Sequence, residues 1–493
     1  MTNVERAREL IARVRATGVE EFCVCAGSRN SPLLAVLGAA GLRLFSFVDE
    51  RSAAFFALGR IKLHGAPVAV VTTSGTAVAE LLPATVEAFY SQLPLMLITA
   101  DRPARYRGTG APQCIEQEGI FGAYATTDVD AWPGTAPLHV NIEFDEPLID
   151  GKVRGARAGA TPLIRPSATF SPRAGRRLFD FRHPLLILGG LAPGDRDRVR
   201  EFLLQLRAPV YAEPLSGLRE DARLERLMIT AGERMIGLGT FDGVIRVGNV
   251  PAIRFWRDLD ESKREIPVVS FSGSPFAGAS RGELHPLEAL PVAKPAKRDA
   301  AFFKRDRAMA AKIESILDDE PESEPSIFRQ LSRELPKGAR VYLGNSLPIR
   351  EWDLFASREP RGYVYQANRG ANGIDGQLST YFGWCAPRQE NVAVLGDLTV
   401  LYDMNAPWIV PQLDRGVRVK IVIINNGGGR IFSRVASLKQ IDSAVRERII
   451  ENSHSFRFAS WASMWRLGSS VLELLPDPEA TRRVWERYDA LWS

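Results

Sequence analysis

Asp397 and Asn426 are the residues from which chemistry is most directly legible. Each follows or ends an apolar, β-branched run, residues 392–395 and 419–424, of the kind that forms a parallel strand covered on both faces. Gly396 and Asp397 close the first run, and Asn425, Asn426 and the glycines at 427, 428 and 429 close the second. A carboxylate and a carboxamide oxygen are hard donors that suit Mg²⁺. The glycines let backbone N–H and carbonyl groups approach a metal-bound diphosphate closely. Ligands of open α/β sheets collect at the C-terminal ends of strands, so both ends are expected to face one crevice. Either turn alone is an ordinary strand ending. Their pairing across residues 399–424 is less common.

Glu50 is a second candidate. It stands between Asp49 and Arg51, after one strand and before the helix SAAFFALGRIK. A carboxylate flanked by charges is ordinarily a solvated or ion-paired helix start. Here the small and aromatic residues that follow predict close packing, which would desolvate Glu50, raise its pKa and suit it to proton exchange.

The elements that must position these groups alternate in type. In the first third a helix is expected over residues 4–16, then a strand over EFCVCAG and the polar turn from Ser28 to Pro32. A strand over 44–48 precedes Glu50. PVAVVTTSG then runs into one helix, TAVAELLPATVEAFYSQ, and PLMLITA ends at Asp101 and Arg102. This alternation predicts an α/β fold of parallel sheet with flanking helices. Residues 167–173, rich in Pro, Ser and Arg, are expected to link to a second α/β unit with strands in HPLLILGG, APVYAEP, FDGVIRVGN and IPVVSFSG. GLGTFDG there is assigned to a turn, because it does not open a helix after a strand. The third unit begins with helices over 301–317 and 326–335 and the strand RVYLGNS, and residues 441–493 read as helical. A length of 493 residues suits about three domains, and the expected spans are 1–166, 175–297 and 301–493.

Composition narrows the class. Apolar content of 45% and charged content of 25% are those of a globular chain. No apolar run approaches the length of a membrane span, and MTNVERARELIARVRATG is a charged amphipathic helix rather than a signal peptide. Four cysteines without a CxxC pair suggest reduced, mostly buried thiols in the cytoplasm. With five histidines and no HExxH, zinc is not expected. The net charge of +5 is spread over dispersed arginines, which fits small anionic ligands rather than nucleic acid.

GDL and NN, with the spacing between them, match the thiamine diphosphate signature, apart from Leu398 where glycine is usual. Taken with AGSRNSPL, DERSAAFFALG, TTSGTAVAELLPA, TADRP, GAPQCIEQ, GNSLPIR, ANRGANGIDG and NNGGGRIF, in that order, the chain resembles the 2-succinyl-5-enolpyruvyl-6-hydroxy-3-cyclohexene-1-carboxylate synthase family. The motifs cover most of the first and last thirds; the centre and tail match loosely. The resemblance implies pyrimidine-binding, central and diphosphate-binding domains, and a homodimer or homotetramer with the cofactor held between subunits. The implied reaction joins 2-oxoglutarate to isochorismate in a 1,4-addition with loss of carbon dioxide. Its product feeds menaquinone or phylloquinone synthesis.

Residue roles follow from the same likeness. Glu50 would hydrogen-bond the aminopyrimidine ring so that the cofactor supplies its own base. Asp397, Asn426 and the Gly428 carbonyl would hold Mg²⁺ or Mn²⁺. Ile374 would keep the cofactor bent, and Gly396, Gly427, Ile431 and Phe432 would contact it. Ser28, Arg29, Arg102 and Gln113 would surround isochorismate. Asn345, Ser346, Arg350 and Arg369 would hold the chain derived from 2-oxoglutarate, with Ser346, Arg350 and Arg369 counted as catalytic. Guanidinium groups suit substrates with two carboxylates each.

Two departures stand out. Arg254, in GNVPAIRFW, occupies the place of a substrate-contacting lysine, and SRVASLKQ after Phe432 lacks the family's proline-containing continuation. Other readings are a different thiamine diphosphate decarboxylase or synthase, or a non-catalytic cofactor-binding homologue. The first is disfavoured because His64 and His139 do not form the usual pair of such decarboxylases; the second, because a relic would not need Glu50.

Overall fold

The computed structural model describes residues 1–150, 153, 179–297 and 299–493. Its strands form three five-stranded sheets with one shared topology. The first contains β1 (Glu21–Cys25), β2 (Arg43–Phe47), β3 (Val68–Thr72), β4 (Leu95–Asp101) and β5 (Leu138–Glu143), ordered β2-β1-β3-β4-β5 with every neighbour parallel. The second contains β6 (Pro184–Leu188), β7 (Val210–Ala212), β8 (Gly243–Val247), β9 (Val268–Phe271) and β10 (Glu283–His285), also all parallel, ordered β10-β9-β8-β6-β7. The third contains β11 (Arg340–Leu343), β12 (Val364–Gln366), β13 (Glu390–Gly396), β14 (Arg418–Ile424) and β15 (Val471–Leu474), ordered β12-β11-β13-β14-β15. Counted from its own first strand, each sheet runs 2-1-3-4-5, a doubly wound order that reverses between the first and third strands.

Helices flank the sheets. The first sheet carries α1 (Asn3–Ala16), α2 (Ser31–Ala39), α3 (Glu50–His64), α4 (Thr76–Ala79) and α5 (Leu82–Tyr90); the second has α6 (Arg196–Leu206) and α7 (Arg254–Glu261). The last third supplies α8 (Ala300–Asp319), α9 (Glu324–Glu334), α10 (Leu347–Phe355), α11 (Gln377–Trp384), α12 (Asp397–Tyr402), α13 (Ser443–Val445), α14 (Ala459–Met464) and α15 (Pro478–Ala490). The α/β class expected from the alternation is borne out, and GLGTFDG runs from a short helical turn through a loop into β8.

Two expectations need correction. The segment expected to form one helix over 76–92 is broken into α4 and α5, because Pro83 offers no N–H to continue the ladder. The tail from 441 is not wholly helical: β15 lies within it as the edge strand of the third sheet. The expected linker at 167–173 falls outside the described residues.

The chain forms two compact units. One is built from Met1–Ala168, Asn368–Ile421 and Phe456–Leu472; the other from Thr169–Ala367, Val422–Ser455 and Glu473–Ser493. In the first, Phe22, Val24, Leu33, Val36, Val71 and Ile98 fill the space between sheet and helices. Helix α3 is buried on all sides from Ser52 to Ile61, which explains its lack of a polar face. In the second unit, Leu185, Ile187, Val244 and Trp256 pack with Phe302, Ile313, Phe355 and Tyr488 in one core.

Candidate active site

Within the first unit, the loops after β1 and β3 lie where the sheet order reverses, the usual ligand position of such sheets. Asn30 shapes the β1 loop, its amide donating to the Cys25 carbonyl at 2.8 Å and accepting from the Gly27 N–H at 2.9 Å. Ser28 is left exposed. Arg29 is buried, donates to the Phe144 carbonyl at 2.9 Å and pairs with Glu146 at 3.5 Å.

The β3 loop is pinned by Gln117, which is fully buried. Its oxygen accepts from the Gly75 N–H at 2.9 Å, and its amide donates to the Ala100 carbonyl and to Asn141. Gly75 has φ +87, and a Cβ there would stand 3.1 Å from the Gln113 backbone. Gln113 is exposed and itself adopts φ +54. Arg102 follows the end of β4 at Asp101, half-buried, with its Nε buried and without a hydrogen-bond partner.

Glu50 is the first residue of α3, half-buried as its sequence neighbours predicted. Burial pushes its carboxyl above the usual range, a backbone hydrogen bond opposes this, and Asp49 and Glu80 add to the rise. Asp49 caps the helix, accepting from the Ser52 N–H at 2.9 Å, and also takes a 2.6 Å hydrogen bond from Asn405. Asp397, at the end of β13 and start of α12, is buried, its Oδ1 accepting the Leu398 N–H at 2.6 Å. Gly396 is the last residue of β13.

Arg369 and Ile374 lie on the loop between β12 and α11. Both carboxylate oxygens of buried Glu87 hold that loop, accepting from Gly370 N–H at 2.9 Å and Ala371 N–H at 2.7 Å. Buried Asp403 accepts from both the Ser379 N–H and its hydroxyl, and Arg51 lies 3.3 Å away.

The second unit contains the other candidates. Asn345 and Ser346 follow β11; Asn345 is buried, and Ser346 precedes α10 at φ +70 and ψ −127. That conformation is strained for a residue with a side chain, and such strain clusters at ligand sites. Arg350 is exposed and donates to the Ser346 carbonyl at 2.6 Å. Arg254, at the start of α7, is exposed and bonds Asp258 at 2.6 Å on its own helix.

After β14, Asn425 donates to Glu473 at 2.6 Å. Asn426 Nδ2 donates to Glu324, shared between its two carboxylate oxygens at 3.0 Å each, while its own Oδ1 is buried and has no hydrogen-bond partner. Gly428 has φ +138, and a Cβ on it would meet the Glu451 carbonyl at 2.6 Å, so only glycine fits. Its carbonyl accepts from the Arg430 N–H at 2.9 Å. Ile431 is half-buried and Phe432 exposed.

The donor chemistry fits a hard divalent cation. In one unit the buried carboxylate of Asp397 opens α12, and in the other the buried Oδ1 of Asn426 accepts no hydrogen bond from a protein donor; each by itself is a hard oxygen donor. Sequence reasoning did not single out Glu324, Glu87 or Asp403 as site residues. Gln117 lay inside a recognised motif, which was the available signal.

A model of the thiamine pyrophosphate enzyme N-terminal TPP-binding domain matches residues 5–120. A 2-succinyl-5-enolpyruvyl-6-hydroxy-3-cyclohexene-1-carboxylate synthase of Bdellovibrio bacteriovorus is 41% identical, with 100% of each chain covered. The chain belongs to this synthase family. Synthases of Akkermansia muciniphila (37% identical, 97% of each chain) and Chloroflexus aurantiacus (34%, 91% of this chain and 86% of the relative) agree. As a family member it is a thiamine diphosphate-dependent enzyme. Among the described residues no helix is long and apolar enough to cross a membrane. The two first-third histidines behave as isolated residues: His64 is exposed, and burial holds neutral His139 down at about 4 beside Thr99.

Proposed function

We propose that the chain catalyses the decarboxylative 1,4-addition of 2-oxoglutarate to isochorismate, yielding 2-succinyl-5-enolpyruvyl-6-hydroxy-3-cyclohexene-1-carboxylate and carbon dioxide. The observation that carries this reading is the 41% identity, over the whole of both chains, to a synthase of that name, in a chain whose Glu50 is half-buried at the start of a buried helix. When bound, thiamine diphosphate supplies a nucleophilic carbon able to accept the electrons released by decarboxylation. Glu50, whose carboxyl burial shifts above its ordinary value, would hydrogen-bond the cofactor's aminopyrimidine ring nitrogen. Asp397, Asn426 and the Gly428 carbonyl hold Mg²⁺ or Mn²⁺, and Ile374, Gly396, Gly427, Ile431 and Phe432 form the cofactor's surroundings.

Arg29, Arg102 and Gln113, with Ser28, orient isochorismate; Asn345, Ser346, Arg350 and Arg369 hold the carboxylates from 2-oxoglutarate. Arg254 is the weakest member of this set, since Asp258 already takes its guanidinium. Three domains, 1–166, 175–297 and 301–493, are supported by one sheet in each span. A cytoplasmic homodimer or homotetramer completes the proposal.

The test follows carbon dioxide and adduct together, with purified protein, thiamine diphosphate, Mg²⁺ and 2-oxoglutarate, with and without isochorismate. Release that depends on isochorismate and yields the adduct is expected. Rapid release without isochorismate would instead identify a plain decarboxylase, and no turnover despite cofactor binding a non-catalytic homologue.

A further inference from the structure

We propose that Glu324 is a positioning residue that fixes the orientation of the Asn426 carboxamide and so aims its oxygen at the metal ion. This role presupposes Asn426 as a metal ligand. The two ends of a carboxamide are alike in shape, so packing alone distinguishes them poorly. A carboxylate distinguishes them absolutely, because when ionised it only accepts hydrogen bonds. Glu324 is 2% exposed, and each of its oxygens lies 3.0 Å from Asn426 Nδ2. Turning the amide over would place its oxygen against two other acceptors. The observed orientation therefore leaves Oδ1 facing away, buried and without a donor.

Glu324 is itself held. It is the first residue of α9, where the helix dipole favours negative charge, and its N–H donates to Thr481 Oγ1 at 2.9 Å. Ser323 caps the same helix through the Ser326 N–H at 3.3 Å, so the first turn has a defined path. A carboxylate on the N–H side of the amide also draws electron density toward the far oxygen and makes it a stronger donor to a cation. Partners of this kind typically set metal affinity by about 10–100-fold.

The experiment measures Mn²⁺ binding to the full-length protein with thiamine diphosphate, from the free-Mn²⁺ paramagnetic resonance signal. Wild type, Glu324→Ala, Glu324→Gln, Asn426→Ala and the Glu324→Ala/Asn426→Ala double variant are compared, with circular dichroism confirming the fold. Glu324→Ala is expected to weaken Mn²⁺ by about 10–100-fold. Glu324→Gln, which keeps one acceptor, should lose less, and the double variant should bind no worse than Asn426→Ala. Wild-type Mn²⁺ affinity in Glu324→Ala, with Asn426→Ala weakened, would overturn the role of Glu324 and leave the ligand assignment standing. Wild-type affinity in Asn426→Ala would overturn the ligand assignment itself. Should Glu324→Ala not fold, unchanged affinity in Glu324→Gln overturns the proposal.

Discussion

Gly59 of α3 and Gly383 of α11 meet backbone to backbone. A Cβ on Gly59 would stand 2.1 Å from the Thr380 carbonyl and 2.8 Å from Gly383 Cα; one on Gly383 would stand 2.1 Å from the Phe56 carbonyl. Helix α3 begins at Glu50, and this crossing sets how that helix is held. Gly59→Ala should therefore cost about 1–3 kcal/mol through overpacking, read as a lower midpoint in denaturant. Combined with Gly383→Ala, the effects should not add, since both variants force the same crossing apart. Wild-type stability in both single variants would contradict the close approach.

Glu50→Gln separates chemistry from folding. Turnover should be lost while thiamine diphosphate still binds, measured by fluorescence titration and carbon dioxide release. The same substitution has a pH signature. Burial raises the Glu50 pKa in the folded chain, so its ionised form costs stability, and that cost grows as pH rises through the folded-state value. Glu50→Gln should thus melt higher than wild type at neutral pH, with the gap closing below the unfolded pKa of about 4.3. A gap that widened on acidification would show the opposite shift.

Glu87 holds the Arg369 loop through two main-chain N–H groups and is itself steadied by Ser91 at 2.9 Å. Glu87→Ala leaves both N–H groups without their acceptor, and hydrogen bonds to a charged group contribute about 1.5–3 kcal/mol each. Faster hydrogen exchange at Gly370 and Ala371 is expected. The KM for 2-oxoglutarate should rise, with Glu87→Gln intermediate. Unchanged exchange at those two amides would remove Glu87 from this role.

Asp403 is buried and supports both α11, through Ser379, and the Glu50 region, through Arg51. Asp403→Ala removes one member of a buried pair and leaves the Arg51 charge under-compensated. The expected loss is about 3–5 kcal/mol in an unfolding titration. A change within error would place Arg51 and Ser379 among groups that water serves equally well.

The sequence alone determined the α/β class, the strand-end positions of Ser28, Arg102, Asn345, Asp397 and Asn426, and the desolvated start of α3. Central parallel strands are apolar throughout, and turns after them carry polar residues, so both features are local and legible. Four strands left no such mark: β5, β10, β12 and β15 are all sheet edges. An edge strand is covered on fewer sides, so Glu283–His285 and Val471–Leu474 carry mixed polarity and lack a readable period. Only the tertiary structure decided which buried polar groups serve which loops. Glu87 reaches Gly370 across 283 positions, and Glu324 reaches Asn426 across 102. Neither carboxylate differs, by its neighbours in sequence, from one that faces water; burial beside a specific N–H donor is what gives each its task.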